Sequence, residues 1–342
     1  MHFLVTGAAG FIGSHLVESL LNAGHAVTAL DDLSTGKREN LDPWVHRIDF
    51  VEGSVLDPAT CARAVQGADY VFHEAALASV PRSVSCPEAT HAANATGTLN
   101  LLIAARDAGV KRVIYAASSA AYGNTVELPK HEGMASVPLS PYAVAKLAGE
   151  NYMRAFHASY GLETISLRYF NVFGPRQDPE SQYAAAIPKL VTSALENRAP
   201  TIFGDGEQTR DFTFIDNVVH ANMLACDAPA SACGGVYNVG CGERVSLNDL
   251  WRCIKQQTGT AVDPVYEPMR AGDVRDSLAS LDAIRAALDY TPVVDWAEGL
   301  RRTIAFFASN GPATATARSA ERRSPAVHPS GSAASQAEIR AA

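Results

Sequence analysis

Through the first 170 residues, short apolar runs alternate with longer stretches whose apolar positions recur every three or four residues. The runs at 2–7 (HFLVTG), 25–32 (HAVTALDD), 47–57 (RIDFVEGSVLD), 69–76 (DYVFHEAA), 111–119 (KRVIYAASS) and 163–171 (ETISLRYFN) read as strands. Those at 11–24 (FIGSHLVESLLNAG), 58–67 (PATCARAVQG) and 95–109 (ATGTLNLLIAARDAG) carry helical spacing, and each closes on a glycine. This alternation predicts right-handed crossovers and a doubly wound parallel α/β sheet, a Rossmann domain over residues 1–175. Beyond it, Pro- and Gly-punctuated pieces over 176–310 predict a smaller lobe, with segments around 212–240 returning to complete the first domain. From Gly311 an Ala/Ser/Pro-rich stretch without hydrophobic period predicts a disordered tail over 311–342.

With 342 residues and 47% hydrophobic content, the chain can bury a large core. The net charge of −8, with no basic stripe, argues against a nucleic-acid partner. No apolar run approaches the about 18 residues of a membrane span. The chain enters a strand at once, with no charged leader or cleavage signal, so a cytoplasmic location is expected. Six scattered cysteines form no CxxC pair and read as reduced thiols, and the histidines lack metal-site spacing, so no metal is expected.

Gly7, Gly10 and Gly13 follow the first strand and open the first helix, with Phe11 and Ile12 at its start. Glycines there permit a tight turn and close backbone approach to a diphosphate, which the helix N-terminus attracts. Asp31 ends the second strand, where a carboxylate accepts from ribose hydroxyls and repels a 2′-phosphate. NAD is therefore expected over NADP, with Asp32, Ser34 and Gly36 completing the loop beside it. Asp57 is placed at the adenine edge, and Ala75 and Ala76 are small enough to let the backbone run along the cofactor. Asn94 reads either as a cofactor contact or as a buried amide bracing a helix.

Tyr142 and Lys146, one helical turn apart after Pro141, share a face, as chance pairs on solvated helices also do. Behind a dinucleotide fold the pair reads differently, because the fifth strand ends at Ser118 and would bring a hydroxyl to the same crevice. Here the chain, over roughly residues 2–308, resembles the extended short-chain dehydrogenases/reductases, specifically their nucleotide-sugar epimerases and dehydratases. The resemblance implies that Tyr142 is the base for a sugar hydroxyl, that Ser118 holds the same oxygen, and that Lys146 and the nicotinamide favour the phenolate. Lowering a tyrosine pKa by about three units takes roughly 4 kcal/mol.

The related 4,6-dehydratases carry an acid pair immediately after the serine, and the decarboxylases keep a glutamate there. This chain has Ser119 and Ala120, so a 4-epimerase is the reading, with no carboxyl nearby to expel a substituent. The resemblance further assigns Ser79, Arg82, Ser83, Ser119 and Asn171 to the sugar and diphosphate, and Ile187 and Phe203 to the uracil. It gives Arg210 and Arg270 to the diphosphate, Asp273 to the uridine ribose, and Ser277 to the space beside C2. A small residue at 277 admits an N-acetyl group, which implies UDP-GlcNAc/UDP-GalNAc interconversion, with UDP-glucose/UDP-galactose also accepted. A uronate epimerase, a reductase and a non-catalytic NAD-binding regulator are the alternatives. Helices 95–109 and 142–158 are the expected pairing face of a homodimer.

Overall fold

A computed structural model describes residues 1–179, 186–269 and 274–310. In the first half the elements run β1 (His2–Thr6), α1 (Phe11–Asn22), β2 (Ala26–Asp31), β3 (Asp49–Glu52), α2 (Pro58–Ala64), β4 (Tyr70–His73), α3 (Val80–Ser85), α4 (Pro87–His91), α5 (Gly97–Asp107), β5 (Arg112–Ser118), α6 (Pro141–Tyr160) and β6 (Glu163–Tyr169). The second half adds β7 (Asn171–Phe173), α7 (Ala186–Leu195), β8 (Thr201–Phe203), β9 (Thr209–Arg210), β10 (Phe212–Phe214), α8 (Ile215–Asp227), β11 (Val236–Val239), β12 (Val245–Ser246), α9 (Leu247–Thr258), β13 (Val265–Glu267), α10 (Asp282–Leu288) and α11 (Trp296–Asn310).

Seven parallel strands form the central sheet in the order β11-β6-β5-β4-β1-β2-β3. The seventh strand comes from residues 236–239, and α8, just before it, packs on β5 and β6. The fold is thus α/β and Rossmann-like. Strand order reverses between β1 and β4, and the crevice at that switch lies beyond the carboxyl ends of the strands. The strands are apolar because helices cover both faces: Leu4 and Val71 face one cluster, Phe3, Val5 and Phe72 the other.

Three local features alter or add to the sequence reading. The third strand stops at Glu52, so Asp57 is not at a strand end: it caps α2, accepting from the N–H groups of Ala59 (3.1 Å) and Thr60 (3.2 Å). The "VPRS" segment lies within the short helix α3, with Ser79 Oγ accepting from Arg82 N–H at 3.1 Å. Between α4 and α5 the chain makes one π-helical turn, Ala92–Thr96. The expected tail at 311–342 lies outside the described residues.

Candidate active site

The turn after β1 explains its glycines by contact. Gly7 has φ +65°, and a Cβ on it would lie 2.7 Å from the Ala75 nitrogen; one on Gly13 would lie 2.1 Å from the Gly7 carbonyl oxygen. α1 then starts with no capping side chain and no acidic residue in its first turn. Its first N–H groups and positive dipole end are left for an anion, which is what a dinucleotide diphosphate requires.

Asp31 is buried and works for this loop: its carboxylate accepts from Ala9 N–H (2.9 Å) and Leu33 N–H (2.8 Å). Burial pushes its pKa up in spite of those bonds. Gly36 packs against it, since a Cβ there would lie 2.7 Å from Asp31 Oδ1. Asp32 accepts from Ser34 through both N–H (3.0 Å) and hydroxyl (2.6 Å), a self-contained turn. Phe11 and Ile12 are half-buried and pack against the core at the start of α1.

Ala75 and Ala76 follow β4, where Ala75 N–H donates to Thr6 Oγ1 at 3.2 Å. Asn94, in the π turn, clips this segment with both ends of its amide. It accepts from Leu77 N–H (2.8 Å) and donates to Leu77 O (3.2 Å), the bracing alternative of the sequence reading. His73 is sealed between Thr6 (2.8 Å) and Thr98 (2.9 Å). The Thr98 hydroxyl donates to Asn94 O, so it accepts from His73 Nε2–H, and the ring is neutral. Burial, then Lys146, hold its pKa down to about 3.

Ser118 at the end of β5 and Tyr142 in the first turn of α6 come close enough for the serine hydroxyl to favour the phenolate. Ser140 caps that helix, accepting from Ala143 N–H at 3.2 Å. Lys146 shares the Tyr142 face as expected, but its Nζ donates to Ala116 O at 2.7 Å and packs over the Tyr115 ring. In the protein alone the Tyr142 phenol is held above its ordinary range. Burial chiefly pushes the phenol up, Ser118 pulls it down, and the negative charge of Glu74 pushes it further up.

Glu74 is the residue the sequence reading passed over. It follows His73 at the end of β4 and is half-buried, with Oε1 accepting from the Tyr169 hydroxyl at 2.9 Å. Burial pushes its carboxyl well up, while burial pulls Lys146 down and Glu74 partly restores it. The expected absence of a carboxyl near the reacting centre therefore fails: one is present, supplied by β4 rather than by the Ser119–Tyr122 turn. Its signal was a charged residue closing an otherwise apolar strand.

In the second half, Asn171, Ile187, Phe203 and Arg210 line one cleft of about 1930 Å³. Ser118, Tyr142 and Lys146 are not part of its lining. Arg210 donates from Nη1 to Thr209 O (2.8 Å) and Arg275 O (3.1 Å). Ser277 is buried, its N–H donating to Thr209 O at 3.1 Å. Ser83 is buried with its hydroxyl on Val80 O (2.6 Å), whereas Arg82 and Ser119 are half-buried. Arg270, Asp273 and part of the uracil segment, residues 183–185, lie outside the described residues.

The family model described as "NAD dependent epimerase/dehydratase family" matches residues 3–240. The chain belongs to that family. It is 40% identical over 311 residues to a UDP-glucose 4-epimerase of Mycolicibacterium smegmatis, covering 90% of this chain and 98% of the relative. A UDP-glucose 4-epimerase of Thermotoga maritima, solved with UDP-glucose, superposes with TM-score 0.87 at 39% identity, over 91% and 99% of the two chains. A UDP-N-acetylglucosamine 4-epimerase of Methanobrevibacter ruminantium, solved with UDP-N-acetylmuramic acid, gives 0.86 at 40% identity, over 90% and 98%. The chain is a nucleotide-sugar 4-epimerase that depends on NAD. Among the described residues, no helix is long and apolar enough to cross a membrane.

Proposed function

We propose that this epimerase interconverts UDP-GlcNAc and UDP-GalNAc, and turns over UDP-glucose and UDP-galactose in the same site. The observation that carries the reading is that Ser277, the position the family resemblance assigns to the space beside the sugar C2, is a small, buried side chain. Both sugar classes occur among the names of the similar proteins. The turn after Ser118 holds Ser119 and Ala120, so no acid from that turn reaches C6.

Bound NAD supplies the acceptor of one hydride from C4 and the donor that returns it. Tyr142 takes the proton of the 4-hydroxyl as the C4–H bond breaks, and Ser118 holds that oxygen through both states. Lys146, with one N–H committed to Ala116 O, keeps two for the nicotinamide ribose and lends positive charge to the phenol. The 4-keto sugar turns over, C4 regains a hydrogen on its other face, and Tyr142 returns the proton to the oxygen. No redox change remains. Asn171, Arg210 and Arg270 are assigned the diphosphate and sugar during that turn, Ile187 and Phe203 the uracil, Asp273 the ribose, and Ser79, Arg82 and Ser83 the sugar.

Incubating the purified protein with UDP-GlcNAc or UDP-glucose, without added reductant, and resolving the products by proton NMR tests this. A 4-epimer equilibrium with both sugars is expected. Net consumption of reduced cofactor, or no new sugar, would overturn it. Ser277→Tyr should lose turnover of the N-acetylated pair at least tenfold more than that of the plain pair, since a clash with the acyl group costs a pocket more than a missing contact. Equal losses would remove the gate.

A further inference from the structure

Glu74 has no part in the proton transfer above, yet it is built into the catalytic pocket. Its backbone abuts the dinucleotide turn, because a Cβ on Gly7 would lie 2.9 Å from the Glu74 carbonyl carbon, and its N–H donates to Thr6 O at 3.2 Å. Its side chain is held from below. Asn222 on α8 donates to the Tyr169 hydroxyl at 2.7 Å, so that hydroxyl's own proton is committed to Glu74. The titratable groups that sense its charge are Lys146 and Tyr142 on α6, Tyr115 on β5 and Tyr169 on β6. Lys146 is the one cation among them. A carboxylate so placed lies between the Gly7 turn, which the sequence reading gives to the dinucleotide, and the Tyr142–Lys146 face, to which the proposed mechanism brings the nicotinamide.

Resting on the proposed hydride chemistry, we propose that Glu74 is an electrostatic positioning residue: its carboxylate balances the charge of Lys146 and of the oxidised nicotinamide, and thereby holds the bound nucleotide in its oxidised form between turnovers. Oxidised nicotinamide carries one positive charge and the reduced ring none, so a neighbouring anion favours the former. An epimerase needs that bias, because a ring left reduced after the keto sugar escapes cannot start a new cycle. Burial pushes the Glu74 carboxyl up, so the bias should weaken as the medium is acidified and Glu74 takes a proton.

The measurement is the equilibrium ratio of reduced to oxidised nucleotide on the NAD-loaded protein, read at 340 nm against a redox-dye couple, without sugar. Glu74→Gln keeps an acceptor for Tyr169 and removes only the charge. It should raise the ratio about tenfold at fixed solution potential, an upward shift of about 30 mV for a two-electron couple. It should also flatten the dependence on pH that remains after the nucleotide's own proton is allowed for, while Glu74→Asp retains part of the bias. A purely structural Glu74 would leave ratio and pH dependence as in the parent, and that result overturns the inference. Parent protein that epimerises UDP-GlcNAc while Glu74→Gln leaves the ratio unchanged sinks this inference alone. Parent protein with no epimerase activity sinks the reading beneath it.

Discussion

At the scale of single residues, the proposed chemistry rests on Tyr142. Tyr142 is half-buried with Ser118 near it, and its hydroxyl supports no packing that a phenyl ring would lose. Tyr142→Phe is therefore expected to lower kcat by about 10²–10⁴-fold, with the melting temperature unchanged. A variant that keeps more than a tenth of the parent rate would place the base elsewhere. Tyr142, Lys146 and Ser118 were legible in the sequence because helical periodicity sets the first two on one face and strand order brings in the third. Glu74 was not. Its neighbours Ala75 and Ala76 explain the segment as a close backbone approach, and its partner Tyr169 is 95 residues away, beyond any local pattern. Asp57 carries a local signal as well: a carboxylate just before Pro58 marks a helix start, and its side chain caps α2.

Among elements, the sheet was legible and the second lobe was not, for a physical reason. β1, β2, β4, β5 and β6 are largely buried, apolar runs set among helical stretches, so periodicity suffices. β8, β9, β12 and β13 are two or three residues long, and their pairings span dozens of residues, as in Val245 with Arg210 or Val265 with Thr201. Pro81 and Pro87 hid α3 and α4, since a proline reads as a break although it fits a helix's first turn. What binds these pieces is Asp211, fully buried between β9 and β10, accepting from Cys241, Gly242 and Ala279 N–H at 2.8, 3.0 and 3.1 Å. Burial outweighs those bonds and pushes its carboxyl from 3.8 up to about 6. A folded-state pKa above the unfolded one means the folded protein binds the proton more tightly. The resulting stability is full below about pH 4 and is lost as pH rises through 6, a swing of about 3 kcal/mol. Asp211→Asn should remove that component, so that urea unfolding at pH 4, 5, 6 and 7 shows a smaller loss of stability toward neutrality than in the parent. An equal or steeper loss would contradict it.

For the whole molecule the open question is what covers one face of the helical layer. Val144, Ala148 and Tyr152 stand at i, i+4 and i+8 on α6, and Leu99 and Ile103 at i and i+4 on α5, which packs beside it. Val144 is 51% exposed, Ile103 38% and Tyr152 36%, on helices whose other faces are sunk against the sheet. Paired across a twofold axis, α5 and α6 would meet their copies as a four-helix bundle, the arrangement that the family resemblance implies. An isologous interface doubles every favourable contact, and equally doubles every charge placed in it. The double substitution Ile103→Glu with Tyr152→Glu would bring four carboxylates into that bundle. In sedimentation equilibrium the parent is expected at twice the chain mass and the variant at the chain mass, with the circular dichroism of the two alike because both sites are partly exposed. A parent that sediments as a monomer at micromolar concentration, or a variant that stays dimeric, would move the contact to another face.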